Sequence, residues 1–168
     1  VIESAQQQVR CLIEEAGPLG LDVALLDERH RLIANDLDDI QIIEGRARRR
    51  DQEDVLMNNP LVAELKAAPF APVQPTERSR EEIRGLVQRG LVIQSDGVLF
   101  AASSIEQAAT VVAQLLRQKP AGVTVAEIRD ALGTTRKFAL PICAILDNTG
   151  MTRRRGDLRI SGPRLPEL

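Results

Sequence analysis

Aromatic residues are nearly missing from this sequence. They make up 2% of 168 residues, as three Phe with no Trp and no Tyr. That excludes a platform of several stacked rings for single-stranded nucleic acid. The core must be built from Leu, Ile, Val and Ala, which suits small helical modules better than a large β-sandwich. No apolar run approaches the roughly 18 residues of a membrane span, and the first residues do not read as a signal peptide. Cys11 and Cys143 are the two cysteines, far apart and without metal-ligand spacing. They fit a cytosolic protein and read as small core residues. The single histidine, His30, lies between Arg29 and Arg31 and reads as a surface residue. Asp36, Asp38 and Asp39 lack the glycine of a calcium loop and read as a helix end. There is no G-x-x-x-x-G-K-[ST] loop, and no nucleophile with a base at a meaningful spacing. The expectation is a chain with no catalytic residue, no metal and no cofactor of its own. Because it begins at Val1 rather than Met, a piece of a longer cytoplasmic protein is expected.

What is present is a repeating order of elements. "ESAQQQVRCLIEEAG" has Val9, Leu12 and Ile13 at helical spacing, and Gly17-Pro18 stops it. "LGLDVALLDERHRLIAND" reads as a short helix and a second helix, capped by Asp22 and Asp27. "DIQIIEGRARR" turns at Glu44-Gly45 and reads as a hairpin. The charged stretch from Arg48 to Pro60 reads as a linker. The order then recurs: "PLVAELKAA" as a helix, a Pro-rich loop, "TERSREEIRGLVQRG" as a helix capped by Thr76 or Ser79, and "LVIQSDGVLFA" as a hairpin on Asp96-Gly97. A long helix follows from a Ser104 cap to Pro120. "TVAEIRDAL" carries the capping box Thr124-x-x-Glu127. "TTRKFALPICAILDNTG" places Phe138, Ile142 and Ile145 on one face. Pro141 is accommodated if that helix starts near Lys137, which puts the proline in its first turn. "MTRRRGDLRI" closes as a third hairpin near Arg155-Gly156-Asp157.

Helices followed by a two-stranded wing, in units of roughly 50 to 60 residues, read as a tandem of winged helices. The fold class is mainly α with small β-hairpins, an α+β array. The modules are placed at residues 1–52, at 53–118 with the linking helix, and at 119–168.

The charge is unevenly spread. The chain carries −2, but residues 121–168 hold eight Lys or Arg against five acids, which is +3 and leaves −5 for the remainder. Arg136 and Lys137 fall at a helix start, where free N–H groups and the helix dipole favour phosphate. In the wing, strand alternation gives Arg153 and Arg155 one face and Arg154 the other. Arg136, Lys137, Arg153, Arg155 and Arg159 are read as converging on one groove that takes a phosphate backbone. A solvated charged face is the bland alternative. The Arg-Gly-Asp tripeptide is explained by the needs of a turn rather than by cell adhesion.

The stretches "TVAEIRDALGTTRK", "ALP", "LD" and "G-TRRRGDLR", within residues 123–160, resemble the C-terminal winged helices of bacterial selenocysteine-specific elongation factors. "LKAAPFAP", residues 65–72, resembles the module before them. Phe138, Ile128 and Ala144 depart from the residues common in that family. The resemblance implies a GTPase part outside this chain, which uses GTP and Mg and delivers selenocysteinyl-tRNA to the ribosome. It implies that the last winged helix binds an mRNA hairpin beside a UGA codon. The residues implied for RNA contact are Arg136, Lys137, Arg153, Arg154, Arg155, Gly156 and Arg159. A pocket for a splayed base is expected to be floored by Thr134, Thr135 or backbone groups. The expected partner is thus an mRNA hairpin bound by a monomer, with ribosome and tRNA reached through the rest of the protein and no membrane involved. Two other classes stay open: a winged-helix transcription regulator reading duplex DNA, and an interaction module whose acidic part docks a protein or acts as a spacer.

Overall fold

The computed structural model describes residues 2–52 and 56–168. α1 (Ile2–Glu15) buries one stripe, Ala5, Val9 and Ile13, at i, i+4 and i+8. Leu12, expected in that stripe, is 38% exposed, and Cys11, expected in the core, is exposed. Leu12 falls on the flank of the stripe, and Cys11 on the face opposite it. After Gly20 come a two-residue strand β1 (Leu21–Asp22) and one 3₁₀ turn, Val23–Leu25. The Asp22 carboxylate accepts the Ala24 N–H at 2.9 Å. Asp27 caps α2 (Glu28–Asp36) by accepting from the His30 N–H at 2.8 Å. β2 (Ile40–Ile43) and β3 (Arg46–Arg49) form the hairpin. Its two turn residues, Glu44 at φ 49° and Gly45 at φ 77°, both take the positive φ of a tight hairpin turn. The sheet order is β1-β3-β2. Val9, Ile13, Leu26, Ala34, Leu37, Ile40 and Ala47 close the core beneath it. The linker expected from Arg48 starts later, because Arg48 and Arg49 belong to β3. Residues 53–55 of that linker lie outside the described residues.

α3 (Pro60–Ala67) is followed by the Pro-rich stretch, which forms no helix. Ser79 caps α4 (Arg80–Gln88), accepting from the Glu82 N–H at 3.0 Å. β4 (Val92–Ser95) and β5 (Val98–Ala101) turn through Asp96 at φ 51° and Gly97 at φ 75°. This sheet has two strands. The Gln74 side-chain amide stands in for a third: its Oε1 accepts from the Leu99 N–H at 2.7 Å, and its Nε2 donates to the Leu99 carbonyl at 3.2 Å.

α5 (Ala102–Gln118) begins two residues before the expected cap. Ala101 is its N-cap and makes no side-chain bond, while Ser104 is buried inside the first turn. β6 (Val123–Thr124) leads into α6 (Val125–Leu132), whose capping box is complete: the Thr124 hydroxyl accepts from the Glu127 N–H, and the Glu127 carboxylate accepts from the Thr124 N–H at 2.7 Å. Gly133 ends it at φ 62°. α7 (Arg136–Asn148) starts one residue earlier than expected, because the Thr135 carbonyl accepts from both Phe138 and Ala139. Pro141 is therefore its sixth residue, in the second turn, where its ring lacks the N–H that the Lys137 carbonyl would otherwise take. β7 (Thr152–Arg155) and β8 (Leu158–Ser161) form the last hairpin, in the order β6-β8-β7.

The chain divides into two compact units that do not follow the three expected modules. One holds the residues up to Asn59 with Ser79–Arg89; the other holds Pro60–Arg78 with Gly90–Leu168. α4 joins the first unit through Arg46–Glu81, Asn59–Glu82 and the packing of Gly85 on Leu56. α3 and the β4–β5 hairpin share the second unit with α5, α6, α7 and the last wing. Its core runs from Val98 and Phe100 through Ile105, Val112, Ile128 and Ile142 to Leu146. Among the described residues, no helix is long and apolar enough to cross a membrane.

Gly162, just past β8, lies so close to Gly150 and Met151 that a Cβ would overlap the Gly150 carbonyl and the Met151 backbone. Gly162→Ala should lower stability by about 2 kcal/mol, read as a shift in the denaturation midpoint. Lys119 beside the Glu127 carboxylate, at 2.7 Å, and the Thr124 N–H hold it below the usual Glu range. A depressed folded pKa gives stability that is present above the unfolded value and lost as pH falls through the folded one. The stability gap between the native chain and Glu127→Gln should therefore close as pH drops from about 6 to about 3, as followed by urea titrations across that range.

Candidate nucleic-acid interface

α7 opens differently from the capped helices α2, α4 and α6. Its N-cap Thr135 makes no side-chain cap bond, and its first turn holds no acid. Exposed Arg136 and Lys137 occupy that turn instead. Uncapped N–H groups, the positive end of the dipole and two cations coincide there, which is the electrostatic pattern that favours phosphate. Thr135 is exposed and its hydroxyl is uncommitted, as the pocket reading requires. Thr134 is not free: its Oγ1 donates to the Phe70 carbonyl at 2.6 Å.

In the wing, the register pairs Thr152 with Ser161, Arg153 with Ile160, Arg154 with Arg159 and Arg155 with Leu158. Opposed residues share a face. Thr152, Arg154 and Arg159 therefore lie on one side, with Val123 of β6 opposite Arg159. That side is the packed one, since Thr152 and Val123 are each 1% exposed. Arg153 and Arg155 take the outer side with Leu158 and Ile160. The expected alternation holds, but its consequence for Arg159 does not. Arg159 is 8% exposed, and its guanidinium donates to Asp147 at 3.2 Å from Nη2. It is a buried structural cation rather than a member of a phosphate groove, because pleat alternation puts it on Arg154's side. Arg154 folds back, donating from Nε to the Gly156 carbonyl at 3.2 Å. Gly156 itself, at φ 61°, makes the turn. Arg136, Lys137, Arg153 and Arg155 form no ion pair among the described residues, whereas Arg129 is taken by Asp130 at 2.6 Å.

Asp147 was not singled out by sequence reading. It sits one residue from the end of α7 and joins helix to wing. Its Oδ1 accepts from the Thr152 hydroxyl at 2.5 Å, and its Oδ2 accepts from Arg159. A carboxylate in the last turn of a helix opposes the dipole, and that is the signal that could have marked it as specifically paired. Arg136 lies at the other end of α7, about 17 Å away along the axis at 1.5 Å per residue. Beside this joint, burial pushes the Cys143 thiol up to about 11, Arg159 opposing and Asp147 reinforcing. Cys143 is thus the inert core residue expected.

Fold and charge define a class: tandem winged helices with a cationic, uncapped helix start and a wing whose β7 arginines are exposed and, among the described residues, without acidic partners. Residues 114–161 match the family model described as Elongation factor SelB, winged helix. The match takes in Thr134, Thr135, Arg136, Lys137, Arg153, Arg154, Arg155, Gly156 and Arg159, and it contains the stretch that carried the resemblance. Among solved structures, a bacterial selenocysteine-specific elongation factor, EF-Sec, is similar over 95% of this chain, with TM-score 0.65 and 17% identity. The chain spans 29% of that protein's length. The mRNA-binding domain of elongation factor SelB from E. coli, solved in complex with SECIS RNA, is 28% identical over 48% of this chain and 67% of its own, with TM-score 0.44. No curated protein matches.

Removing the Asp147 carboxylate leaves a nearly buried guanidinium and a buried hydroxyl without their acceptor. Asp147→Ala should cost about 3 kcal/mol, measured by thermal unfolding. The wing resonances of Thr152–Ser161 should shift more than those of α6.

Proposed function

We propose that this chain is the mRNA-reading part of a selenocysteine-specific elongation factor. In this reading it binds, as a monomer in the cytoplasm, the selenocysteine insertion hairpin beside a UGA codon. A GTPase part of the same protein, using GTP and Mg, then delivers selenocysteinyl-tRNA to the ribosome. The observation that carries the proposal is the coincidence of two features. The segment matched by the SelB winged-helix model also brings four exposed cations, Arg136, Lys137, Arg153 and Arg155, onto one helix start and one wing, and none of the four forms an ion pair among the described residues.

The physics favours an RNA hairpin. A-form RNA has a major groove too narrow to admit a helix, so specific readers take splayed loop bases and the backbone around them. The α7 start offers amides, the Thr135 hydroxyl and two cations; the wing offers two outward arginines. Phosphate contacts set affinity and register, and the contacts to a base set specificity. The chain's own part is binding and orientation, with no chemical step.

The test is a titration of the chain at fixed salt against three ligands: a hairpin from beside an in-frame UGA, the same hairpin with its loop scrambled, and duplex DNA. Tight binding to the first alone is expected. Equal binding to all three would return a transcription regulator or a plain phosphate patch to the front. Arg136→Ala, Lys137→Ala, Arg153→Ala and Arg155→Ala should each weaken hairpin binding and reduce the salt slope by roughly one unit. Arg154→Ala should do less, because Arg154 turns to the packed side and back onto Gly156. Equal losses at all five positions would refute the assignment of faces.

A further inference from the structure

The start of α7 has no side-chain cap, yet it must be held still if its amides and cations are to meet a backbone at fixed register. Its fastening comes from outside residues 119–168. One residue before the N-cap, the Thr134 hydroxyl donates to the Phe70 carbonyl at 2.6 Å, across 64 residues of chain. At the third helical position, the Phe138 ring meets the Phe100 ring edge-on, with centroids 6.4 Å apart and planes at 80°. Phe100, in β5, is fully buried and so is a fixed anchor. The Lys137 ammonium lies 5.4 Å from the centroid of the Phe138 ring, which restrains that long side chain.

Arg136 and Lys137 are therefore bracketed by two tethers, one on each side in sequence. We infer that Thr134 and Phe138 are positioning residues for the nucleic-acid-facing start of α7, with Phe70 and Phe100 as the surfaces they lock onto. The inference rests on the RNA-reading role proposed above and adds how the site is held. In α2, α4 and α6 a side chain stabilises the first turn by consuming one of its amides. In α7 the stabilisation is moved to Thr134 and Phe138, and the Arg136 and Lys137 amides and the Thr135 hydroxyl stay open for a ligand. The elements between residues 60 and 101 thus become part of the binding apparatus without touching the ligand.

The experiment uses the whole chain with Thr134→Val, which keeps shape and removes the donor, Thr134→Ser, which restores the donor, and Phe138→Leu. Two quantities are read: amide hydrogen exchange along α7, and affinity with its salt slope for the UGA-proximal hairpin. Thr134→Val should speed exchange about tenfold at Phe138 and Ala139, whose N–H groups bond the Thr135 carbonyl, and leave Cys143, Ile145 and Leu146 unchanged. It should weaken the hairpin about tenfold and lower the salt slope by about one unit, with Thr134→Ser near native in both. Phe138→Leu should give the same local pattern. Native exchange at Phe138 and Ala139 in Thr134→Val overturns the inference. So does a uniform rise along all of α7, which marks a general packing role. If the native chain binds no hairpin, the RNA-reading proposal fails by itself, and the local or uniform exchange pattern still decides this one.

Discussion

The carboxylate of Asp147 is the constraint on which the binding end depends. It stands where the helix dipole disfavours it, and a guanidinium and a hydroxyl from the wing offset that cost. Because Arg159 is drawn inward to Asp147, its side of the sheet is settled. Because Arg154 is its register partner, Arg154 shares that side, and Arg153 and Arg155 are sent outward. One polar joint thereby decides which face of the sheet each arginine of a three-residue run takes. It also ties the wing to the end of α7 remote from Arg136, so helix start and wing are separate points of attachment at opposite ends of α7.

The first and last winged helices share one frame: a helix, a two-residue strand, a short helical segment, a helix and a hairpin, with the two-residue strand added to the hairpin's second strand. Their hairpins even share an arginine-rich strand, "RARR" in β3 and "TRRR" in β7. The fates of those arginines differ. Arg46 donates to the Gly20 carbonyl and Glu81; Arg48 is fully buried; Arg49 pairs with Glu14 and Asp51. In β7 all three are exposed and none meets an acid. The same composition is structural in one place and available in the other, and the deciding variables are burial and the position of neighbouring carboxylates.

That contrast marks what a sequence can and cannot disclose. Asp22, Asp27, Ser79 and Thr124 were legible as caps because a cap is decided within three residues. Glu44-Gly45 and Asp96-Gly97 were legible because a tight turn needs positive φ at two adjacent positions. β1 and β6 were not, since a two-residue strand has no period to read. Arg159 was misjudged because its role is set by a cross-strand register and by an acid twelve residues earlier. The grouping of α4 was not legible for a related reason: it joins the first compact unit through Arg46, Leu56 and Asn59 rather than staying with the hairpin that follows it in sequence. For the candidate site, the helix-start pair and the exposed wing arginines were visible in the charge pattern, whereas Thr134's commitment to Phe70 depends on a contact 64 residues distant.

The scarcity of rings finally constrains how a base can be recognised. Phe70, Phe100 and Phe138 all pack in or against the core of the second unit, so none is spare for stacking. Bulk charge is no guide either, because the −5 carried by the remainder acts through solvent that screens beyond about 10 Å. What reaches a ligand is local: two cations with open amides at one end of α7, and two arginines on the wing. Affinity can then come from phosphates alone. Discrimination must come from groups that form directed bonds with a splayed base, namely the Arg136 and Lys137 amides, the Thr135 hydroxyl and the planar guanidinium groups, which both stack and donate. Such bonds are sensitive to small displacements, and this is why a helix start without a cap of its own gains from being anchored by Thr134 and Phe138 to residues elsewhere in the same unit.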